Sequence, residues 1–149
     1  MFSPGSQIRA GAVLACLAVI LGAFAAHGLD AYLIKTWTDV TKTVAGQEFA
    51  GPWKYLQDFK TGAEYQMYHA LGLIAVGVVG SCNGTKRPLN VAASCFVVGI
   101  LFFSGSLYAL VLTKQTWLGA ITPIGGVLFL VGWIAFAIGS GGTAERSAK

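Results

Sequence analysis

Hydrophobic positions in this chain come in long uninterrupted blocks. Residues 10–26, 90–112 and 118–138 contain no Asp, Glu, Lys or Arg, and in residues 65–82 only His69 can carry a charge near neutral pH. A helix needs about 20 mainly apolar residues to cross a hydrocarbon layer roughly 30 Å thick. Backbone groups in lipid must be satisfied within helices or a closed barrel, and no segment shows the alternation of a barrel strand. The pattern therefore predicts an all-α integral membrane four-helix bundle: a single transmembrane domain over 1–149, with spans at about 8–28, 64–82, 89–112 and 118–139.

The connections are unequal. "NGTKRPL" at 83–89 predicts a tight turn, with Asn83-Gly84 as breaker and Pro88 opening the third span. Residues 113–117 form another short link, and short links favour antiparallel neighbours. The first connection is long and patterned. Leu29, Leu33, Trp37, Val40 and Val44 recur at helical spacing, with Lys35, Asp39 and Lys42 elsewhere on the wheel, which predicts an amphipathic helix ending near Ala45-Gly46. Gly51-Pro52 then opens a second short stretch with Trp53, Leu56 and Phe59. Such helices lie in the membrane interface, which gives an interfacial segment at about 30–60; a docking surface made by Trp37, Trp53 and Phe59 is the alternative.

Composition agrees with the membrane reading: 55% of residues are hydrophobic and only 11% charged, outside the range of soluble domains. A net charge of +4, with no basic stripe, argues against nucleic acid as a partner. Arg9, the apolar run 10–20 and "AFA" at 23–25 also fit a secretory signal peptide. Against cleavage, Gly11, Ala15, Ala18, Gly22 and Ala26 form a small-residue face suited to close helix packing. Cys16, Cys82 and Cys95 lack metal or redox spacing; Cys16 reads as a small packing residue, and Cys82 and Cys95 flank one loop.

Four spans put Arg9, Lys86, Arg87, Arg146 and Lys149 on one side and Lys35, Lys42, Lys54, Lys60 and Lys114 on the other. Arg9, Lys86 and Arg87 hug span ends, whereas the long loop's lysines are interleaved with Asp30, Asp39, Glu48, Asp58 and Glu64. The expectation is that both termini are cytoplasmic.

Polar residues within the spans gather at one level. His27 ends the first span on the long-loop side, and His69 lies about 6 Å inside the second. Ser104, Ser106 and Tyr108 fall in the last third of the third span, and Thr122 in the first turns of the fourth. Tyr65, Tyr68 and His69 share a helical face with Gly72 and Val76. Buried polar groups need partners, so a polar pocket is expected near the long-loop side. In "ITPIGG", Thr122 as N-cap and Pro123 in the first turn would leave the amides around Gly125 and Gly126 free to meet an anion. His27 and Glu64 stand at the expected mouth.

Ordinary inter-helix hydrogen bonding by these Ser, Tyr and His side chains is the plainer alternative. No cofactor or metal is expected, because His27 and His69 are the only histidines. The residues contain no nucleophile with its base, phosphate loop or zinc motif.

"GAFAAHGLD" (22–30), "TGAEYQMYHALGL" (61–73), "LFFSGSLYAL" (101–110) and "LGAITPIGGVLFLVGW" (118–133) together resemble the signature segments of the membrane-protein family called domain of unknown function 423, which includes transmembrane protein 256. The resemblance spans all four predicted helices in order. It implies a four-span protein of bacterial inner membranes or mitochondria with a retained first span, and it implies no activity. Ala26 stands where the family usually has Gly, and the first loop is longer than usual.

These readings lead to a non-enzymatic protein of the bacterial inner membrane whose pocket holds a small anionic or lipid-like ligand. The alternatives are an accessory subunit of a larger membrane complex and a small transporter or channel subunit. Beyond the lipid bilayer, the candidate partners are another membrane protein or a second copy of the chain.

Overall fold

A computed structural model describes residues 3–141 of the chain; Arg146 and Lys149, counted above for orientation, lie outside the described residues. Helix α1 runs from Pro4–His27, α2 from Asp30–Trp37, α3 from Gly51–Asn83, α4 from Arg87–Thr113 and α5 from Thr122–Ser140. Strands β1 (Thr41–Val44) and β2 (Gln47–Ala50) lie between α2 and α3, and a 3-10 helix, Thr116–Ala120, leads into α5. The helix starts follow local chemistry. The Ser3 hydroxyl caps α1 by accepting from the Ser6 amide at 3.2 Å, and a proline occupies the first turn of α1, α3, α4 and α5.

Three helical stretches among the described residues are long and apolar enough to cross a membrane: Pro4–His27, Arg87–Thr113 and Thr116–Ser140. Helix α3 is not among them. It is nevertheless the axis of the packing, with α1 along one side, α4 along another and α5 along α4.

Small residues at heptad spacing set these contacts. On α5, Gly125, Gly132 and Gly139 face Phe103, Phe96 and Leu89 of α4; a Cβ on each would fall 2.4 Å from the Phe103 amide, 2.7 Å from the Phe96 ring and 2.7 Å from Leu89 Cδ2. Gly99 of α4 reciprocates, with the Phe129 ring 2.6 Å from where its Cβ would be. A seven-residue repeat on both helices keeps one seam facing the partner. Helix α1 does the same with Gly11, Ala18 and Ala25, all buried against α3. The small-residue face is thus Gly11-Ala18-Ala25, not the expected set: Ala26 is exposed and Gly22 has nothing within 4 Å of its Cβ position. Cys16, expected to pack, is also exposed, because it lies on the opposite side of α1 from this seam; Cys82 is exposed and Cys95 half-buried, all as free thiols.

The first loop departs most from expectation. Its helix stops at Trp37 and the next residues form an antiparallel hairpin, Thr41 opposite Ala50 and Val44 opposite Gln47, so the chain is not strictly all-α. Val40, Thr41, Thr43 and Val44 are β-branched and favour extended backbone. Ala45 and Gly46, both at positive φ (50° and 81°), make the two-residue turn. The expected second interfacial helix is not separate either: it is the first turns of α3, which continues unbroken for 33 residues, about 50 Å.

Trp37 and Phe59 do not form a docking surface, being 2% and 0% exposed. With Leu29, Leu33, Tyr55, Leu110 and Val111 they make a core of their own, apart from the one that Leu73, Val76, Leu89, Phe96, Ile100 and Phe129 form between α3, α4 and α5. Trp37 packs against Tyr55 with ring centroids 3.7 Å apart and planes tilted by 32°, and donates its Nε1–H to the Val111 carbonyl at 3.2 Å. The Tyr32 hydroxyl donates to the Leu112 carbonyl at 2.5 Å. These bonds satisfy carbonyls that the C-terminus of α4 would otherwise leave unpaired. Burial, with the Asp58 charge adding to it, pushes the Tyr55 hydroxyl above the usual tyrosine range.

If the α4–α5 seam is set by backbone approach, Gly125→Ala lowers unfolding stability by ~1–3 kcal/mol, the range of overpacked cores. Gly22→Ala, in open space, stays within ~0.5 kcal/mol. Thermal melting of both variants in one detergent measures the contrast, and equal melting points would contradict the seam.

Candidate functional site

The polar residues expected to line one pocket do not share a cavity. Rotation about the helix axes separates them, since neighbouring residues point about 100° apart. On α3, Gln66 faces Leu14 of α1 and Tyr108 of α4, whereas Tyr65 and His69 face Phe103 of α4 and Phe129 of α5.

Around Gln66 a polar chain crosses three helices. The Tyr108 hydroxyl donates to Gln66 Oε1 at 3.1 Å, and Gln66 Nε2 donates to the Leu14 carbonyl at 2.8 Å. The Tyr108 ring fits because Gly62 lacks a side chain: a Cβ there would lie 2.8 Å from Tyr108 Cε1. A second link joins α4 to α5. The Ser106 hydroxyl donates to the Phe103 carbonyl at 2.9 Å, so its 2.8 Å contact with Thr122 has the Thr122 hydroxyl as donor.

Thr122 therefore does not cap α5. The preceding 3-10 helix runs straight into that terminus, where the Ile124 amide donates to the Ile121 carbonyl at 3.0 Å, and Gly125 is pressed against Phe103. The open anion-binding helix end expected here is occupied by the chain itself. Ser104 is fully buried and its hydroxyl meets no hydrogen-bond partner among the described residues. His27 and Glu64, expected at a mouth, are exposed, and neither lines the groove between α3 and α5.

Tyr65, Tyr68, His69 and Gly126 are brought together. They line a groove of about 490 Å³ between α3 and α5, completed by Phe103, Phe129, Leu130 and Trp133. His69 is 4% exposed. Its ring lies flat on Phe129, with centroids 3.3 Å apart and planes 7° apart, and its Nδ1 is 2.7 Å from the Tyr65 carbonyl oxygen. Tyr65 stacks on Phe103 at 4.6 Å. Gly126 forms an open floor, since a Cβ there would come no nearer than 3.9 Å to Phe103. The groove opens outwards beside Tyr68 and Leu130, both more than half exposed. Gln66 and the wall of Phe103, Phe129, Leu130 and Trp133 are the participants that sequence reasoning missed. Spacing put Gly126, Phe129, Leu130 and Trp133 on one face of α5, but in an apolar helix that pattern reads as packing.

No group of three or more potential metal ligands occurs among the described residues. Long uncharged helices with an apolar exterior, joined inside by a few polar links, define a small multi-helix membrane protein. The chain belongs to the family described as protein of unknown function DUF423, whose model matches residues 21–126. It is 43% identical to a UPF0382 membrane protein of Staphylococcus saprophyticus, over 87% of this chain and 92% of that one. It is 41% identical to the UPF0382 membrane protein YwdK of Bacillus subtilis, over 86% and 89%, and 40% identical to a UPF0382 membrane protein of Haemophilus influenzae, over 82% of each. No solved structure matches the chain.

The Tyr108–Gln66 bond gives a direct test of the three-helix link. Gln66→Leu and Tyr108→Phe are each expected to cost ~0.6–2 kcal/mol, the worth of inter-helix hydrogen bonds in membranes. The double variant should lose less than the sum, because both substitutions remove the same bond. Equilibrium unfolding in mixed micelles measures the cycle; full additivity would mean the residues are uncoupled.

Proposed function

We propose that the protein crosses the bacterial inner membrane four times, with both termini in the cytoplasm, and acts without catalysis by holding a small lipid-like molecule in the α3–α5 groove. Helix α3 is the fourth span in this reading. Its apolar content is lowered by Gln66 and His69, but both are 4% exposed, so neither meets lipid, and intramembrane polar residues are tolerated when they face the bundle interior. Four crossings put Arg9, Lys86 and Arg87 on the cytoplasmic side, as the preference for positive residues there requires, with the hairpin cap on the other.

The observation that carries the binding reading is the groove itself. Aromatic walls, a glycine floor and an opening towards the apolar exterior suit a flat or elongated hydrophobic molecule. The occupied N-terminus of α5 removes the support for a small anion. Accessory-subunit function is the second reading, favoured by Trp53, which is 49% exposed and stacked on Phe49 at 4.7 Å.

Native mass spectrometry of protein released from membranes in mild detergent separates the two. Gly126→Leu fills the groove without a backbone clash. A retained lipid-sized mass that this substitution removes supports the binding reading. A stoichiometric protein lost with Trp53→Ala and indifferent to Gly126→Leu supports the subunit reading and overturns the first.

A further inference from the structure

The α3–α5 groove contains a hydrogen-bond acceptor that a purely apolar ligand would leave idle. A carbonyl oxygen only accepts, so the 2.7 Å contact between His69 Nδ1 and the Tyr65 carbonyl requires the proton on Nδ1. A neutral ring then has its lone pair on Nε2, on the far side of the imidazole, and none of the described residues donates to it. The ring is held in this orientation: the residue is 4% exposed and lies face to face with Phe129. The enclosed side-chain atoms left without a partner among the described residues are Asn90 Nδ2 and Ser104 Oγ, so Nε2 keeps a small accessible surface, and the groove that His69 lines is the space it meets. Tyr68 and Trp133, both partly exposed, line the same groove, and Gly126 leaves room between α3 and α5.

We propose that the groove takes the head of a ring-bearing lipid with a free hydroxyl, of the quinol or phenol class, whose O–H donates to His69 Nε2. The ring lies beside Tyr68 and Trp133, where aromatic faces offer stacking partners, and the tail leaves past Leu130 into the bilayer. The proposal rests on the binding reading above and adds a selectivity to it. A quinone or an ether offers only acceptors at the position facing Nε2, so two lone pairs would oppose each other. Tyr68 can donate to a second ring oxygen in either form, which confines the discrimination to His69. The site therefore distinguishes the reduced form of such a lipid from the oxidised one by binding alone, with no electron transfer.

The test uses the full chain in lipid nanodiscs under anaerobic conditions. A tritiated decyl-tailed hydroquinone is the probe, and its dimethyl ether and its quinone are competitors. The expected result is that both competitors bind at least about tenfold more weakly than the hydroquinone, equivalent to ~1.4 kcal/mol. His69→Phe, which keeps a ring to stack on Phe129, should bring the hydroquinone down to the level of the ether. Gly126→Leu should abolish binding of all three. Equal affinity of hydroquinone and ether for the unsubstituted protein overturns the selectivity, and that comparison decides the matter even where His69→Phe fails to fold. If binding is equal yet lost in Gly126→Leu, the groove reading stands without its selectivity. Absence of binding, or binding indifferent to Gly126→Leu, overturns both.

Discussion

The backbone approach of α4 and α5 is the constraint on which the other features depend. Apolar side chains gain little by leaving lipid for a protein interior, so helix association in a membrane rests on close packing and a few hydrogen bonds. Gly125, Gly132 and Gly139 supply the packing by letting Phe103, Phe96 and Leu89 reach the α5 backbone. Gly99 returns the arrangement by receiving Phe129. Phe129, fixed in this way, is the surface on which His69 lies. The order of cause runs from a glycine on α4, to a phenylalanine on α5, to the orientation of a histidine on α3, and so to the wall of the groove.

Against that packed background the polar groups act in separate, small units. Tyr108 and Gln66 tie α4 and α3 to the Leu14 carbonyl of α1, while Ser106 and Thr122 tie α4 to α5. Trp37 and Tyr32 reach from the cap to the last carbonyls of α4, so the hairpin region is bound to the bundle by hydrogen bonds as well as by its own core. His69 differs from these groups because only one of its two nitrogens is used.

Much of the helical framework was legible in the sequence, because charge-free blocks and their Gly and Pro boundaries report it directly. Family membership was legible too, in four quoted segments. The cap was not. Leu29, Leu33 and Trp37 do keep helical spacing, but Val40 and Val44 extend the same count into a stretch whose β-branched residues prefer a strand, and Ala45-Gly46 lacks the Asn-Gly signature of a tight turn. The polar residues were expected to meet in one cavity, and rotation about the helix axes divides them between clusters. Depth along a helix follows from residue number alone, whereas the direction a side chain faces depends on which neighbour packs where. Tyr65 and Gln66 are adjacent in sequence and serve different clusters for that reason. The glycine heptad on α5 was visible, but its meaning required the matching heptad on α4.

Native Cys95 offers the most direct measurement of the α4–α5 register. A Cβ at position 132 would lie 3.2 Å from Cys95 Cβ, close to the ~3.5–4.5 Å of a disulfide. In a background with Cys16→Ser, Cys82→Ser and Phe96→Ala, the last removing the ring that a Cβ at position 132 would strike at 2.7 Å, Gly132→Cys should form a disulfide with Cys95 on mild oxidation in the membrane, seen as loss of both thiols to maleimide labelling and restored by reductant. Two thiols that stay fully labelled after oxidation would contradict the register, and with it the placement of Phe129, His69 and the groove.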